Sequence, residues 1–197
     1  MVPLAQPVYT ADEYLRLERA AGHRSEFVNG RIYAMTGASF AHSTILFNLA
    51  REIGAQIRGR GCRAFLNEMR VKINLYGSYL YPDFVALCEA PRFEDGVFDT
   101  LLNPSVIVEV LSDSTESYDR GLKFQHYRRI ESLREYILVG QHQPIVERFV
   151  RNGDLWTLVD ELHDLDKSIS LESIGCEVLL ADLYEQVEFP PEGERER

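Results

Sequence analysis

The 197-residue chain is short of cysteine and of positive charge: three cysteines in all, and 21 Lys and Arg against 31 Asp and Glu, a formal net charge of −10. Cys62, Cys88 and Cys176 are odd in number and widely spaced. That pattern lacks the paired spacing of a zinc site and leads us to expect reduced thiols in a cytoplasm, with Cys88 filling core at a strand end. The charge deficit excludes a general electrostatic attraction to nucleic acid, so any such contact has to be local. No apolar run reaches the ~20 residues that span a membrane. The opening MVPLAQPVYTADEYL has neither the basic start nor the apolar stretch of a signal peptide, and none is expected. No low-complexity stretch divides the chain. One domain over 1–187 is expected, followed by a Pro- and Glu-rich tail over 188–197 without order.

What is present is an ordinary globular composition, 45% hydrophobic and 26% charged. Thr10 with Glu13 forms a capping-box signature ahead of a helix over Ala11 to Ala20, which Gly22 ends. Asn29-Gly30 between two alternating runs predicts a hairpin from Glu26 to Met35. Ile45, Leu46, Leu49, Ile53 and Ile57 recur at helical spacing, so an amphipathic helix runs from Ser39 to about Arg60, closed by Gly59 and Gly61. Residues Cys62 to Leu75 and Tyr79 to Cys88 read as an antiparallel pair around Tyr76-Gly77-Ser78. After a Pro- and Gly-containing loop, Val106 to Leu111 is a nearly unbroken β-branched and leucine run, as in a strand covered on both faces. A helix over Tyr118 to Ile130 follows, then strands at Glu135 to Val139, Ile145 to Val150 and Leu155 to Asp160, the last two joined by Asn152-Gly153. This order of elements makes an α/β or α+β sandwich around a mixed sheet.

Within that frame two carboxylates are out of place. Asp83 lies inside YLYPDFVALC and Glu109 inside SVIVEVLS, where an unpaired charge is costly. Period two puts Glu109 on one strand face with Ile107 and Leu111. Pro82 weakens ladder pairing just before Asp83, which suits a place where strands bend or separate. If the two strands are neighbours, the carboxylates converge, and two desolvated carboxylates most economically share a divalent metal. Lys123, one turn into the next helix, has a stem long enough to bring an ammonium back to the strand end. That constellation points to metal-assisted attack on a phosphodiester.

The ordered set Tyr81-Pro82-Asp83, then Ile107-Val108-Glu109 through Thr115, then Tyr118-Asp119 through Lys123 to Tyr127, then Arg134-Glu135-Tyr136, resembles the Uma-type putative restriction endonuclease family of the PD-(D/E)xK nuclease superfamily. Glu26 to Gly30 and His42 fit the same pattern, and the resemblance runs from about Tyr9 to Tyr184. It implies a restriction-endonuclease-like core, a central mixed β-sheet flanked by helices, and a metal-dependent endonuclease acting on DNA. Asp83 and Glu109, with a main-chain carbonyl near Val110, would hold Mg²⁺ or Mn²⁺. The superfamily places its lysine two residues after the acidic one, where this chain has Leu111. The resemblance moves that role to Lys123, so the catalytic set is Asp83, Glu109 and Lys123.

Other residues carry two readings each. His42 and Tyr127 are the candidates for substrate contact, against a structural partner for His42 and core filling or support of the lysine for Tyr127. Glu26 either joins the acidic cluster or fixes its hairpin. Glu68 either reaches the metal through water or is a solvated residue of a strand. Asp119 and Lys123 form an i,i+4 pair of a kind common on surfaces. His126 and His142 have no zinc spacing. Two basic groups, Arg51, Arg58, Arg60 and Arg63, and Lys123, Arg128, Arg129 and Arg134, are DNA contacts or solvated helix faces. A homodimer is expected by analogy with nucleases that meet both sides of a duplex. The alternative to an enzyme is a non-catalytic nuclease fold serving dimerisation or partner binding.

Overall fold

The computed structural model describes residues 7–35, 37–73 and 77–189. Helix α1, Ala11–Ala20, begins with the expected capping box: the Thr10 side chain accepts from the Glu13 amide and the Glu13 carboxylate accepts from the Thr10 amide. Strands β1 (Ser25–Val28) and β2 (Arg31–Ala34) form the hairpin, with Asn29 and Gly30 at φ 51° and 82°. Gly30 is required twice over, because a Cβ there would also lie 2.6 Å from Val8 Cγ1. Helix α2, Phe40–Ile57, is capped by Ser39. The tail over 190–197 and the loop residue Tyr76 lie outside the described residues.

The expected long hairpin over Cys62 to Cys88 is where the structure departs from the sequence reading. Each arm is cut in two: β3 (Arg63–Leu66) and β4 (Arg70–Ile73), then β5 (Ser78–Leu80) and β6 (Phe84–Leu87). The halves pair antiparallel with one another, β4 with β5 and β3 with β6, but in different sheets. A tight turn closed by the Met69 amide on the Leu66 carbonyl at 3.1 Å breaks one arm. Tyr81-Pro82-Asp83 breaks the other, where proline offers no N–H to a ladder.

The chain therefore builds two main sheets. Completing the set are β7 (Thr100–Leu101), β8 (Val106–Leu111), β9 (Glu135–Gly140), β10 (Val146–Asn152), β11 (Leu155–Leu162), β12 (Ser168–Leu171) and β13 (Cys176–Leu179). One sheet runs β2-β1-β5-β4-β7, and the central mixed sheet runs β11-β10-β9-β8-β6-β3. In the latter β8 is parallel to β9 and antiparallel to β6. Strands β12 and β13 pair with each other. They, with the turn Leu180–Leu183, were not anticipated; their buried residues join α2 over the central sheet. This is a mixed α+β architecture with helices against the sheets, as expected.

Strand β8 is buried along its whole length. Val106, Val108 and Val110 share a cluster with Ile45, Leu49 and Ile53 of α2, while Ile107 and Leu111 lie on the opposite face beside Val85, Leu87 and Leu138 of the neighbouring strands. After β8 a helical segment covers 116–127 rather than 118–130, and its middle, Asp119–Lys123, is a π-helical turn. Among the described residues no helix is long and apolar enough to cross a membrane.

The cysteine expectation needs correcting. Cys62 and Cys88 are joined in a disulfide, and Cys88 is not core filling. The register Arg63 opposite Leu87 sets Cys62 against Cys88 across the β3–β6 pair, a proximity invisible in a separation of 26 residues. Cys176 is a free, buried thiol.

Candidate active site

Because β6 lies antiparallel to β8 with Phe84 opposite Val108, Asp83 comes beside Glu109. The main chain ties the two together: the Asp83 amide donates to Glu109 Oε2 at 3.3 Å, and the Val110 amide donates to Asp83 Oδ2 at 2.8 Å. His42, on the first turn of α2, meets Asp83 Oδ2 through Nε2 at 3.0 Å. Its expected structural partner is thus this carboxylate. Burial pushes the Asp83 carboxyl upward, but the His42 contact, the Lys123 charge and the Val110 N–H outweigh it and hold the group below its ordinary value.

Glu109 is 1% exposed. Burial raises its pKa well above the usual carboxylate range, against the pull of Lys123. The Lys123 ammonium lies 2.9 Å from Glu109 Oε1, 3.4 Å from Asp119 Oδ1, 3.5 Å from Glu26 Oε1 and 3.3 Å from the Tyr81 carbonyl. Burial alone would lower the lysine; Glu109 and Glu26, with smaller contributions from Tyr127 and Asp119, raise it well above the ordinary lysine value.

The cage has been built from three elements. Glu26 comes from β1, fixed by the Tyr81 amide at 3.2 Å and the Tyr118 hydroxyl at 3.2 Å. Asp119 and Lys123 stand at the two ends of the π-helical turn. Such a turn inserts a residue into the helical repeat and is found at functional positions more often than by chance. Asp119 is not the surface pair its spacing suggested: it is 2% exposed, and burial raises its carboxyl. Tyr127 is fully buried and does not line the cleft, which fits its reading as core or lysine support better than substrate contact. Glu68 lies in the turn between β3 and β4, exposed and paired with Arg24 at 2.8 Å.

These groups line a cleft of about 1620 Å³ between the hairpin β1–β2, the start of α2 and the helical segment 116–127. The cations on its walls are mostly committed: Arg19 to Asp95 and Asp99, Arg70 to Asp99, Arg24 to Glu68. Of the two basic groups read from the sequence only Lys123 lines the cleft, while Arg51 pairs with Glu52 and Glu185 and Arg60 binds the Ile174 and Gly175 carbonyls. Tyr81 and Tyr118, present in the sequence motifs without an assigned role, hold Glu26 through the Tyr81 amide and Tyr118 hydroxyl and Lys123 through the Tyr81 carbonyl. Their signal was adjacency, each standing next to or near a singled-out acid.

The donors that face a cation here are oxygens, Asp83 and Glu109, and the described residues contain no group of three or more His, Cys, Asp or Glu arranged to hold a metal ion. Glu109 Oε1 makes its ion pair with Lys123 but no aligned hydrogen bond, which leaves a buried acceptor unsatisfied. Two carboxylates that meet beside this cleft are oxygen donors of the kind a hard divalent cation takes while keeping several waters.

The sequence profile of the Uma2 family, described as "Putative restriction endonuclease", matches residues 11–181. The chain is 40% identical over 162 residues to "Uncharacterized protein sll1609" of Synechocystis sp. (strain ATCC 27184 / PCC 6803 / Kazusa), covering 82% of this chain and 92% of that one. It is 31% identical over 183 residues to "Uncharacterized protein slr1290" of the same organism, covering 93% and 95%. Its fold is similar to a solved structure, a putative nuclease belonging to DUF820 from Anabaena variabilis ATCC 29413. The TM-score is 0.71 at 21% identity, over 89% of this chain and 97% of that one.

Proposed function

The chain belongs to the Uma2 family of putative restriction endonucleases, and from that premise we propose that it is a divalent-cation-dependent endonuclease hydrolysing phosphodiester bonds in DNA at the cleft of Asp83, Glu109 and Lys123. The observation that carries this reading is the meeting of the two carboxylates from neighbouring strands, linked by the 3.3 Å contact of the Asp83 amide with Glu109, with an ammonium 2.9 Å from Glu109. Asp83, Glu109 and the main-chain carbonyl of Val110 would hold Mg²⁺ or Mn²⁺. When bound, the cation supplies Lewis-acid chemistry: a more acidic water and a neutralised phosphate oxygen.

The remaining work falls to the chain's own groups. His42 and the Val110 amide both bind Asp83 Oδ2, which fixes the rotation of that carboxylate. Lys123 supplies a permanent positive charge for the phosphate and its developing negative charge. The position two residues after Glu109 is Leu111, buried at 4% exposure, so the ammonium has to arrive from the helical segment instead. Arg19, Arg24 and Arg70 of the cleft are committed to acids, so backbone contact with DNA falls to exposed lining groups such as Arg31 and Tyr33 on β2. A homodimer is the working unit proposed, by analogy with nucleases that meet both sides of a duplex.

A second reading, the non-catalytic nuclease fold, is favoured by the tight pairing of Lys123 with three carboxylates. Cleavage of plasmid and single-stranded DNA in Mg²⁺ or Mn²⁺, abolished by chelator and restored by added metal, separates the two. DNA left intact under every divalent-cation condition leaves only the scaffold.

A further inference from the structure

One ammonium has three N–H donors, yet four oxygens surround Lys123, three of them from carboxylates. A buried ion pair kept for stability needs one partner, and surplus buried carboxylates raise the desolvation penalty without adding a bond. The surplus has a second meaning once the distances are compared. Glu109 Oε1 is nearest at 2.9 Å, while Asp119 Oδ1 and Glu26 Oε1 stand at 3.4 and 3.5 Å, close enough to receive the ammonium after a small shift of its stem. Glu26 is pinned for that purpose by the Tyr81 amide and the Tyr118 hydroxyl.

Glu109 Oε2 already accepts from the Asp83 amide, and Oε1 is the oxygen paired with the ammonium, so a cation placed on Oε1 would stand beside that ammonium. Two cations on one buried oxygen repel strongly in a low-dielectric site. We infer that Lys123 and a divalent cation compete for Glu109, and that Glu26 and Asp119 are positioning residues that take over the ammonium when the cation arrives. This rests on the cation reading of the site. Glu26 and Asp119 touch neither substrate nor metal in this scheme; they act through Lys123.

Calorimetric titration of Mn²⁺ into four proteins tests it: wild type, Lys123→Met, Glu26→Gln and the double variant, each first checked for a native circular dichroism spectrum. Tighter binding by Lys123→Met, by about tenfold, is expected but follows from charge removal alone; the pairwise coupling is the decisive quantity. With the lysine present, Glu26→Gln weakens Mn²⁺ binding by about tenfold, since the ammonium has lost a refuge; without it, Glu26→Gln changes binding by less than about twofold. An equal effect of Glu26→Gln in both backgrounds means simple long-range electrostatics and overturns the inference while leaving the nuclease reading intact. Absence of Mn²⁺ binding in all four proteins overturns both. Should Lys123→Met fail to fold, Lys123→Gln, whose amide still donates to Glu26 and Asp119, takes its place with the same expectations.

Discussion

The two faces of β8 solve opposite problems with neighbouring residues. Val106, Val108 and Val110 lie against α2 in a wholly apolar cluster, where every side chain contributes by leaving water and filling space. One residue over, Ile107 and Leu111 are just as buried, but between them stands Glu109, which draws Asp83, Lys123, Glu26 and Asp119 around it. The first face holds the fold together. The second keeps desolvated charge in place, at a cost in stability that the apolar face and the surrounding sheet offset.

The comparison can be broken in several ways. The largest effect is expected at the polar face: Asp83→Asn or Glu109→Gln lowers metal-dependent cleavage on the order of 10³-fold, since each removes a charge that acts in the transition state. Thermal unfolding of these near-isosteric variants stays close to wild type; a collapse of the fold in both would mean that the pair is structural. Next comes the apolar face. Ile53→Ala, which opens a hole against β8, costs about 2–5 kcal/mol of stability by denaturant unfolding, while the folded protein cleaves at the wild-type rate. An activity loss matching that of Glu109→Gln would erase the distinction between faces.

Reduction of the Cys62–Cys88 bridge should have a similar or smaller cost, about 2–4 kcal/mol for a closed loop of this kind, without changing cation affinity, because the bridge lies at the far end of the β3–β6 pair from Asp83. Comparing unfolding with and without reductant checks this, and an unchanged transition contradicts it. The smallest effect concerns pH. In the metal-free protein Asp83 has its pKa depressed by His42, Lys123 and the Val110 amide acting against burial. Its stabilising contribution is therefore present above the ordinary aspartate range, about pH 4, and is lost as pH falls through the lower folded-state value. Asp83→Asn should flatten that acid limb of the stability profile; a limb unchanged by the substitution assigns it to other carboxyls.

The polar face was the most legible part of the chain, and the reason is physical. A carboxylate in an apolar strand is a local anomaly that needs no knowledge of neighbours, and so are the capping box at Thr10 and the Asn29-Gly30 turn; the second turn, expected at Asn152-Gly153, falls one residue later at Gly153-Asp154, because Asn152 still pairs with Leu155. What escaped depends on contacts far apart in sequence. Cys62 and Cys88 meet only because a strand pairing brings them opposite. The split of the long hairpin between two sheets could be suspected at Pro82, but its matching break after Leu66 has no proline to announce it. Strands β12 and β13 did carry a signal: Ser168-Ile169-Ser170-Leu171 alternate polar and apolar, as do Cys176-Glu177-Val178, the period of two that reads as strand. Asp119 was read as a surface partner because i,i+4 spacing says nothing about burial, and burial is what turned that pair into part of a cage.

In the proposed function, Asp83 and Glu109 form one divalent-cation site on the polar side of β8. Anomalous diffraction from crystals of the protein grown or soaked in Mn²⁺ tests it most directly. The expected result is a single strong peak within about 2.0–2.6 Å of an oxygen from each of the two carboxylates, the range of oxygen ligation for hard cations. A peak bound elsewhere in the cleft with these two carboxylates unligated, in a protein that binds Mn²⁺ in solution, would contradict the account.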